Sequence, residues 1–154
     1  MGGFVNMRYK DFDLAVQLNG AFGHKIYNGT SLTFNNLSLY PTYNILDGAL
    51  DKRIYDIKIS DYYLENGNYV NIEYITLGYN IPVKKLKIEK YLKSLRLAFS
   101  VNNVATITGY SGMTPLINSA NVASKSSVSG TLGVDDKLIY PLSRTYSLSL
   151  GVKF

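Results

Sequence analysis

The sequence predicts an all-β chain, an antiparallel meander with one apolar and one polar face, of the kind found in a transmembrane β-barrel. Three observations carry this. Residues 146–154 alternate without a break, with Tyr146, Leu148, Leu150, Val152 and Phe154 on one side and Ser147, Ser149, Gly151 and Lys153 on the other, and a strand sends successive side chains to opposite faces. Hydrophobic residues make up 46% of 154 positions, yet no run approaches the roughly 18 consecutive apolar residues of a spanning helix. Long and short connections alternate between the predicted strands, as in an outer-membrane barrel with short turns on one side and long loops on the other.

The first strand is expected at about 2–9, and Lys10-Asp11 turns the chain into a second at about 12–26. There Phe12, Leu14, Val16 and Leu18 alternate with Asp13, Ala15, Gln17 and Asn19. A third strand, about 69–81, places Ile75, Leu77, Tyr79 and Ile81 on one face and Thr76, Gly78 and Asn80 on the other. Its first half, with Val70, Ile72 and Tyr74, is in the opposite phase, which predicts a bulge or a part that projects beyond the membrane. Pro82 ends it, because proline lacks the N–H that a ladder needs. Residues 83–93 form a basic turn with room for one helical turn. The fourth strand, about 95–108, alternates Leu95, Leu97, Phe99 and Val101 with Arg96, Ala98, Ser100 and Asn102, and the fifth is the terminal strand, about 144–154. The long connections, about 27–68 and 109–143, are expected to be extracellular loops. Ser119 to Gly130, rich in Ser, Ala and Gly, reads as a flexible loop tip. The length of the terminal strand suits a tilted crossing of about 9 to 11 residues.

Composition narrows the function. Fourteen Tyr and six Phe with no Trp suit strands and the aromatic girdles of barrels. With no Cys, disulfides and thiolate chemistry are excluded. Much of the net charge of +5 comes from Lys84, Lys85, Lys87, Lys90 and Lys93, read as a solvated turn and not as a nucleic-acid patch, since interleaved Arg and stacking aromatics are missing. Single His24 has no companion ligand for a metal. Asp135-Asp136 after Gly133 reads as a turn, lacking the spacing of a calcium loop. Phosphate loops, nucleophile elbows and dinucleotide fingerprints are absent, no carboxylate pair stands out for glycosidase chemistry, and neither enzyme activity nor a cofactor is expected. Asn28-Gly29-Thr30 and Asn36-Leu37-Ser38 match glycosylation sequons that arise easily by chance. The first residues have no basic segment followed by an apolar one, as a secretory signal would.

Five spanning strands cannot close a barrel, and open edges are not tolerated in lipid. The expectation is a segment of a larger barrel, with open edges.

Four strings carry a specific resemblance. Residues 59–79 (ISDYYLENGNYVNIEYITLGY), 75–82 (ITLGYNIP), 96–112 (RLAFSVNNVATITGYSG) and 140–154 (YPLSRTYSLSLGVKF) resemble, in order and spacing, the C-terminal end of the SusC/RagA family of TonB-dependent outer-membrane transporters of Bacteroidota. Tyr9-Lys10-Asp11-Phe12-Asp13-Leu14, with Gly20 and Phe22-Gly23, is similar to the preceding hairpin of that family. Ending on Phe154 also resembles the terminal strand that barrel assembly machinery reads as an insertion signal, carried here by Tyr146, Leu148, Leu150, Val152 and Phe154.

The resemblance implies the last five strands of a barrel of about 22, embedded in outer-membrane lipids and importing oligosaccharides or peptides. It further implies as partners the rest of the barrel and a plug, a SusD-like surface lipoprotein, and TonB reached through an N-terminal part. No nucleic acid is expected. Recognition on this chain would fall to loop residues: Tyr40, Tyr43, Tyr55, Tyr62 and Tyr63, with Asp47, Asp51, Arg53, Asp56 and Asp61, suit sugar stacking or lipoprotein contact, or else fold the loop against its neighbours. Two rival expectations are a soluble β-sandwich or lectin-like module, whose apolar faces pack on each other, and a short barrel closed by several copies.

Overall fold

A computed structural model describes residues 1–87, 90–117, 133–135 and 142–154. The chain divides into two compact units. One comprises Met1–Gly20, Val70–Ile107 and Leu142–Phe154, and the other Ala21–Tyr69 and Thr108–Pro141. No helix is long and apolar enough to cross a membrane.

The first unit is one five-stranded sheet. Strands β1 (Gly2–Tyr9) and β2 (Phe12–Ala21) form a hairpin closed by Tyr9 opposite Phe12. Lys10 at φ 54° supplies the positive value that primed hairpin turns require of their first central residue. β5 (Tyr69–Ile81) follows β2 in the sheet, then β6 (Ser94–Thr108) and β8 (Thr145–Lys153), in the order β1-β2-β5-β6-β8. β1 and β8 are its two edges.

Register fixes the faces. Val5 lies opposite Val16 and Met7 opposite Leu14, and Leu95, Leu97, Phe99 and Val101 lie opposite Val152, Leu150, Leu148 and Tyr146. Because directly paired residues share a face, the apolar sets of neighbouring strands coincide. The same registers bring Arg8 to Asp13 and Ser100 to Ser147 on the other side.

The phase switch in β5 also has a structural account. Glu73 accepts a hydrogen bond from the Gln17 amide, and Gln17 lies on the polar face by the β1–β2 register. Tyr74 lines the same polar face. Two consecutive residues of β5 thus reach one side, as in a bulge, so that Val70 and Ile72 before it share the apolar face with Ile75 and Leu77 after it.

The second unit departs from the expectation of plain loops. The predicted strand 12–26 breaks after Ala21: Gly23 takes φ 78°, its N–H donates to the Asn68 side chain at 2.7 Å, and the chain enters a different sheet as β3 (Lys25–Asn28). β3 pairs antiparallel with β4 (Leu64–Asn66) and parallel with β7 (Val134–Asp135). Between β3 and β4 lie two short helices, α1 (Gly29–Phe34) and α2 (Ala49–Lys52), and two 3₁₀ turns at Leu37–Leu39 and Asp61–Tyr63.

Both sequon-like strings are caps. The Asn28 side chain accepts from Ser31 N–H at the start of α1, and that of Asn36 accepts from Ser38 N–H and hydroxyl at the first 3₁₀ turn, the role for which Asn is favoured at helix starts. Asp135 stands in a strand after Gly133 at φ 83°, not in the expected turn. Asp136 and the Ser119–Gly130 tip lie outside the described residues.

Candidate functional site

The sheet has two chemically opposite surfaces. Its concave side is an open hollow of about 1030 Å³ lined from all five strands, by Asn6, Arg8, Asp13, Thr76, Arg96 and Ser147 among others. The Thr76 and Ser100 hydroxyls hydrogen-bond at 2.8 Å. The Arg96 guanidinium donates to the Asp13 carboxylate at 2.5 Å, although Asp13 is on β2 and Arg96 on β6, with β5 between them.

That reach depends on Gly78 of β5. A Cβ there would stand 2.5 Å from both Asp13 carboxylate oxygens and 2.7 Å from Arg96 Nη2, so only glycine leaves room for an ion pair to pass over the middle strand. Asn80 Nδ2 adds a longer bond to Asp13 at 3.4 Å.

The opposite side is apolar and bare. Met7, Tyr9 and Phe12 at one edge, and Tyr146, Leu148, Leu150 and Phe154 at the other, are about half exposed or more, as are Leu77 and Phe99. Phe12 stacks on Tyr79 with ring centroids 4.5 Å apart, and Phe99 lies parallel to Tyr146 at 6.4 Å. A water-soluble protein rarely exposes a continuous apolar patch of more than a few hundred Å². The five residues of the expected insertion signal all lie in or beyond β8, exposed on the free edge. Phe4 departs from the pattern: it pairs with Gln17 on the polar side.

The sandwich expectation required these faces to be covered. They are not.

In the second unit the core is small and polar. Ile26, Ala49, Tyr63 and Tyr110 are buried together with Asn28, Asn35, Asn36 and Asp135. Asp135 accepts from the Tyr110 hydroxyl at 2.7 Å and from the Thr30 hydroxyl at 2.9 Å. Glu65 accepts from Asn28 Nδ2 at 2.8 Å and from the Ser111 N–H and hydroxyl at 2.9 and 2.7 Å. Burial pushes the Glu65 carboxyl up, but the Ser111 and Asn28 donors, aided by Lys52, outweigh it and hold it below its ordinary value of 4.5. Burial first, then the Asp135 hydrogen bond and the charges of Asp135 and Glu65, raise Tyr110 above its ordinary value.

Of the five loop tyrosines, Tyr40, Tyr43, Tyr55 and Tyr62 are exposed. Tyr43 meets Phe34 edge-on at 6.1 Å. Tyr63 is 4% exposed, wedged edge-on between Tyr27 and Tyr62; it holds the fold and presents no contact surface. His24 packs edge-on against Tyr69 at 6.2 Å and is half-buried. Among the described residues no group of three or more His, Cys, Asp or Glu is placed to hold a metal. Sequence reasoning missed the Asn28–Glu65–Ser111 and Thr30–Asp135–Tyr110 networks; the cap pattern of Asn28 was the one local signal that pointed to them.

No family model matches the chain. In sequence it is 29% identical over 162 residues to TonB-dependent receptor P3 of Formosa agariphila, an alignment spanning 99% of this chain and 16% of that protein. In structure it resembles the RagAB peptide importer in the open-open state (TM-score 0.75, 18% identity, 99% of this chain and 17% of that one) and in the closed-closed state (TM-score 0.72, 18% identity, 95% and 16%). The RagAB peptide transporter gives a TM-score of 0.73 at 18% identity, over 96% and 16%. The chain thus spans about one sixth of the length of these relatives. The resemblance to SusC/RagA-type TonB-dependent transporters, first carried by four strings, holds in sequence similarity and in fold. The sheet has the fold of a piece of such a barrel, with open edges.

Proposed function

We propose that this chain serves as part of the β-barrel wall of a SusC/RagA-like TonB-dependent importer in the outer membrane of a Bacteroidota bacterium. The observation that carries this is the two-faced sheet: apolar outside across adjacent strands, polar on the concave side. Only a lipid-embedded, water-filled wall needs that distribution.

Each surface then has a partner. Outer-membrane lipids cover the apolar face, further strands of the barrel pair with the free edges of β1 and β8, and a plug lies against the polar concavity. The short turns Lys10-Asp11 and 82–93 face the periplasm, and the long connections are extracellular loops, whose Tyr40, Tyr43, Tyr55 and Tyr62 meet cargo or a SusD-like lipoprotein. Residues 146–154 carry the signal for the barrel assembly machinery, and energy from TonB enters through an N-terminal part. The role is nonenzymatic. Cargo is an oligosaccharide or a peptide; similarity to a peptide importer favours the peptide.

Facing is the direct test. Single cysteines replacing Leu148 and Leu150 should be reached by a lipid-soluble spin probe, and those replacing Ser147 and Ser149 by a water-soluble reagent. The reverse pattern, or water access to all four, would overturn the reading. Deleting Phe154 from the full gene product should abolish its recovery in the outer membrane; undiminished recovery would remove the insertion signal from the proposal.

A further inference from the structure

We propose that the end of the sheet made by the Lys10-Asp11 turn and by residues 82–87 and 90–93 is a binding surface for anionic phospholipid headgroups. This rests on the membrane-embedded reading above.

The two turns and the end of β8 are neighbours. Asn80 N–H donates to Asp11 C=O at 2.7 Å, and Lys93 N–H donates to Lys153 C=O at 2.7 Å. Five lysines of the longer turn, Lys84, Lys85, Lys87, Lys90 and Lys93, are exposed there, flanked by Lys10 and Lys153. In sequence these seven cations face two acids, Asp11 and Glu89, a balance of five positive charges. The other nine basic and nine acidic side chains of the chain cancel. Along the sequence, the formal +5 therefore falls within segments 10–11, 84–93 and 153.

Charge alone would suit any polyanion, and the surrounding side chains select among them. Tyr9 and Tyr91 are 71% and 73% exposed, and Leu86 of the longer turn and Phe154 after β8 are exposed too. Tyr9 belongs to the apolar face of the sheet, which runs to this end without interruption through the Tyr9–Phe12 and Leu95–Val152 pairs. An apolar band closing on aromatic rings and then on lysines reproduces the order of layers in a leaflet: acyl chain, interface, phosphate. Lysine stems lie along apolar surface while the ammonium reaches outward, and an ammonium suits a phosphate as a point charge. A soluble polyanion would leave the rings and Leu86 in water.

The test uses the full gene product carrying this chain, as wild type and as K84Q/K85Q/K87Q/K90Q, in nanodiscs of equal parts phosphatidylethanolamine and phosphatidylglycerol. Native mass spectrometry counts the lipids that stay bound on release. Wild type should retain phosphatidylglycerol preferentially, and the quadruple variant should lose at least about fivefold of that preference, the effect expected of even one lysine at an anionic surface. The corresponding Lys→Arg variant should keep it, and a K25Q/K52Q/K58Q variant, altered in the other unit, should not change it. Equal preference in wild type and quadruple Gln variant overturns the proposal. So does loss of bound phosphatidylglycerol to inorganic phosphate, which would assign the surface to the free anion. Failure of wild type to insert, read by protease protection, would instead sink the barrel reading and this inference with it; insertion without lipid preference sinks this inference alone.

Discussion

Gly78 shows how much one missing side chain can decide. The ion pair it admits joins β2 to β6 across β5, and both partners are partly exposed, so its own contribution is at most about 1 kcal/mol. Gly78→Val pushes the tips of Asp13 and Arg96 aside, and because these are the mobile ends of partly exposed side chains, we expect a loss of no more than about 1 kcal/mol in urea unfolding from lipid vesicles. Arg96→Lys should be nearly neutral in the same assay. In the second unit, Glu65 is held below its ordinary value, so its contribution is present above about pH 4.5 and lost as pH falls through the folded-state value. Near-UV dichroism of the tyrosines should report acid loosening of this unit, and Glu65→Gln should flatten that limb. Tyr110 is raised, so its contribution is complete below about pH 10 and lost above it. Tyr110→Phe should weaken the alkaline limb, of which Tyr63, also raised by burial, supplies a part, and, by leaving buried Asp135 one donor short, cost about 1–3 kcal/mol.

Among the elements, β8 and β3 mark the two extremes of legibility. The β8 alternation was complete in the sequence because a half-exposed strand has a period of two, and no tertiary contact is needed to see it. The consequence is testable: Leu148→Arg or Leu150→Arg should cost about 2–4 kcal/mol of folding into a bilayer, whereas Ser149→Arg on the polar face should cost less than half of that. The start of β3 was read as the tail of β2, since the expected strand ran on to about Ile26 and Tyr27 was given to the loop. What separates them is Gly23 at positive φ and its bond to Asn68, 45 residues away, information that no local window holds. The β5 phase switch lies between these cases. Its two halves were visible as opposed alternations, but only the side on which Glu73 and Tyr74 emerge shows that a bulge reconciles them.

At the scale of the whole molecule, an open sheet with two free edges and a bare apolar face is not a stable object in water. Without detergent the isolated chain should sediment as oligomers or aggregates; a monodisperse monomer would return the soluble-module reading to the front. The sequence by itself determined the meander, the facing of its strands, the basic turn and the family likeness, because alternation, turn residues and charge are local properties written along the chain. It also named Tyr63, as a contact or as a residue that folds the loop, and its burial supports the second part; the Asp135 segment it read as a turn, where the structure has a strand. Tertiary structure alone decided that Tyr63 is core, that Asp135 is a buried acceptor, that the described parts of the long connections fold around a polar network, and that Gly78 leaves room for a pair joining β2 to β6 across β5. These depend on residues brought together from positions up to 105 apart in the chain, as Thr30 and Asp135 are, and burial of that kind is a property of the assembled fold.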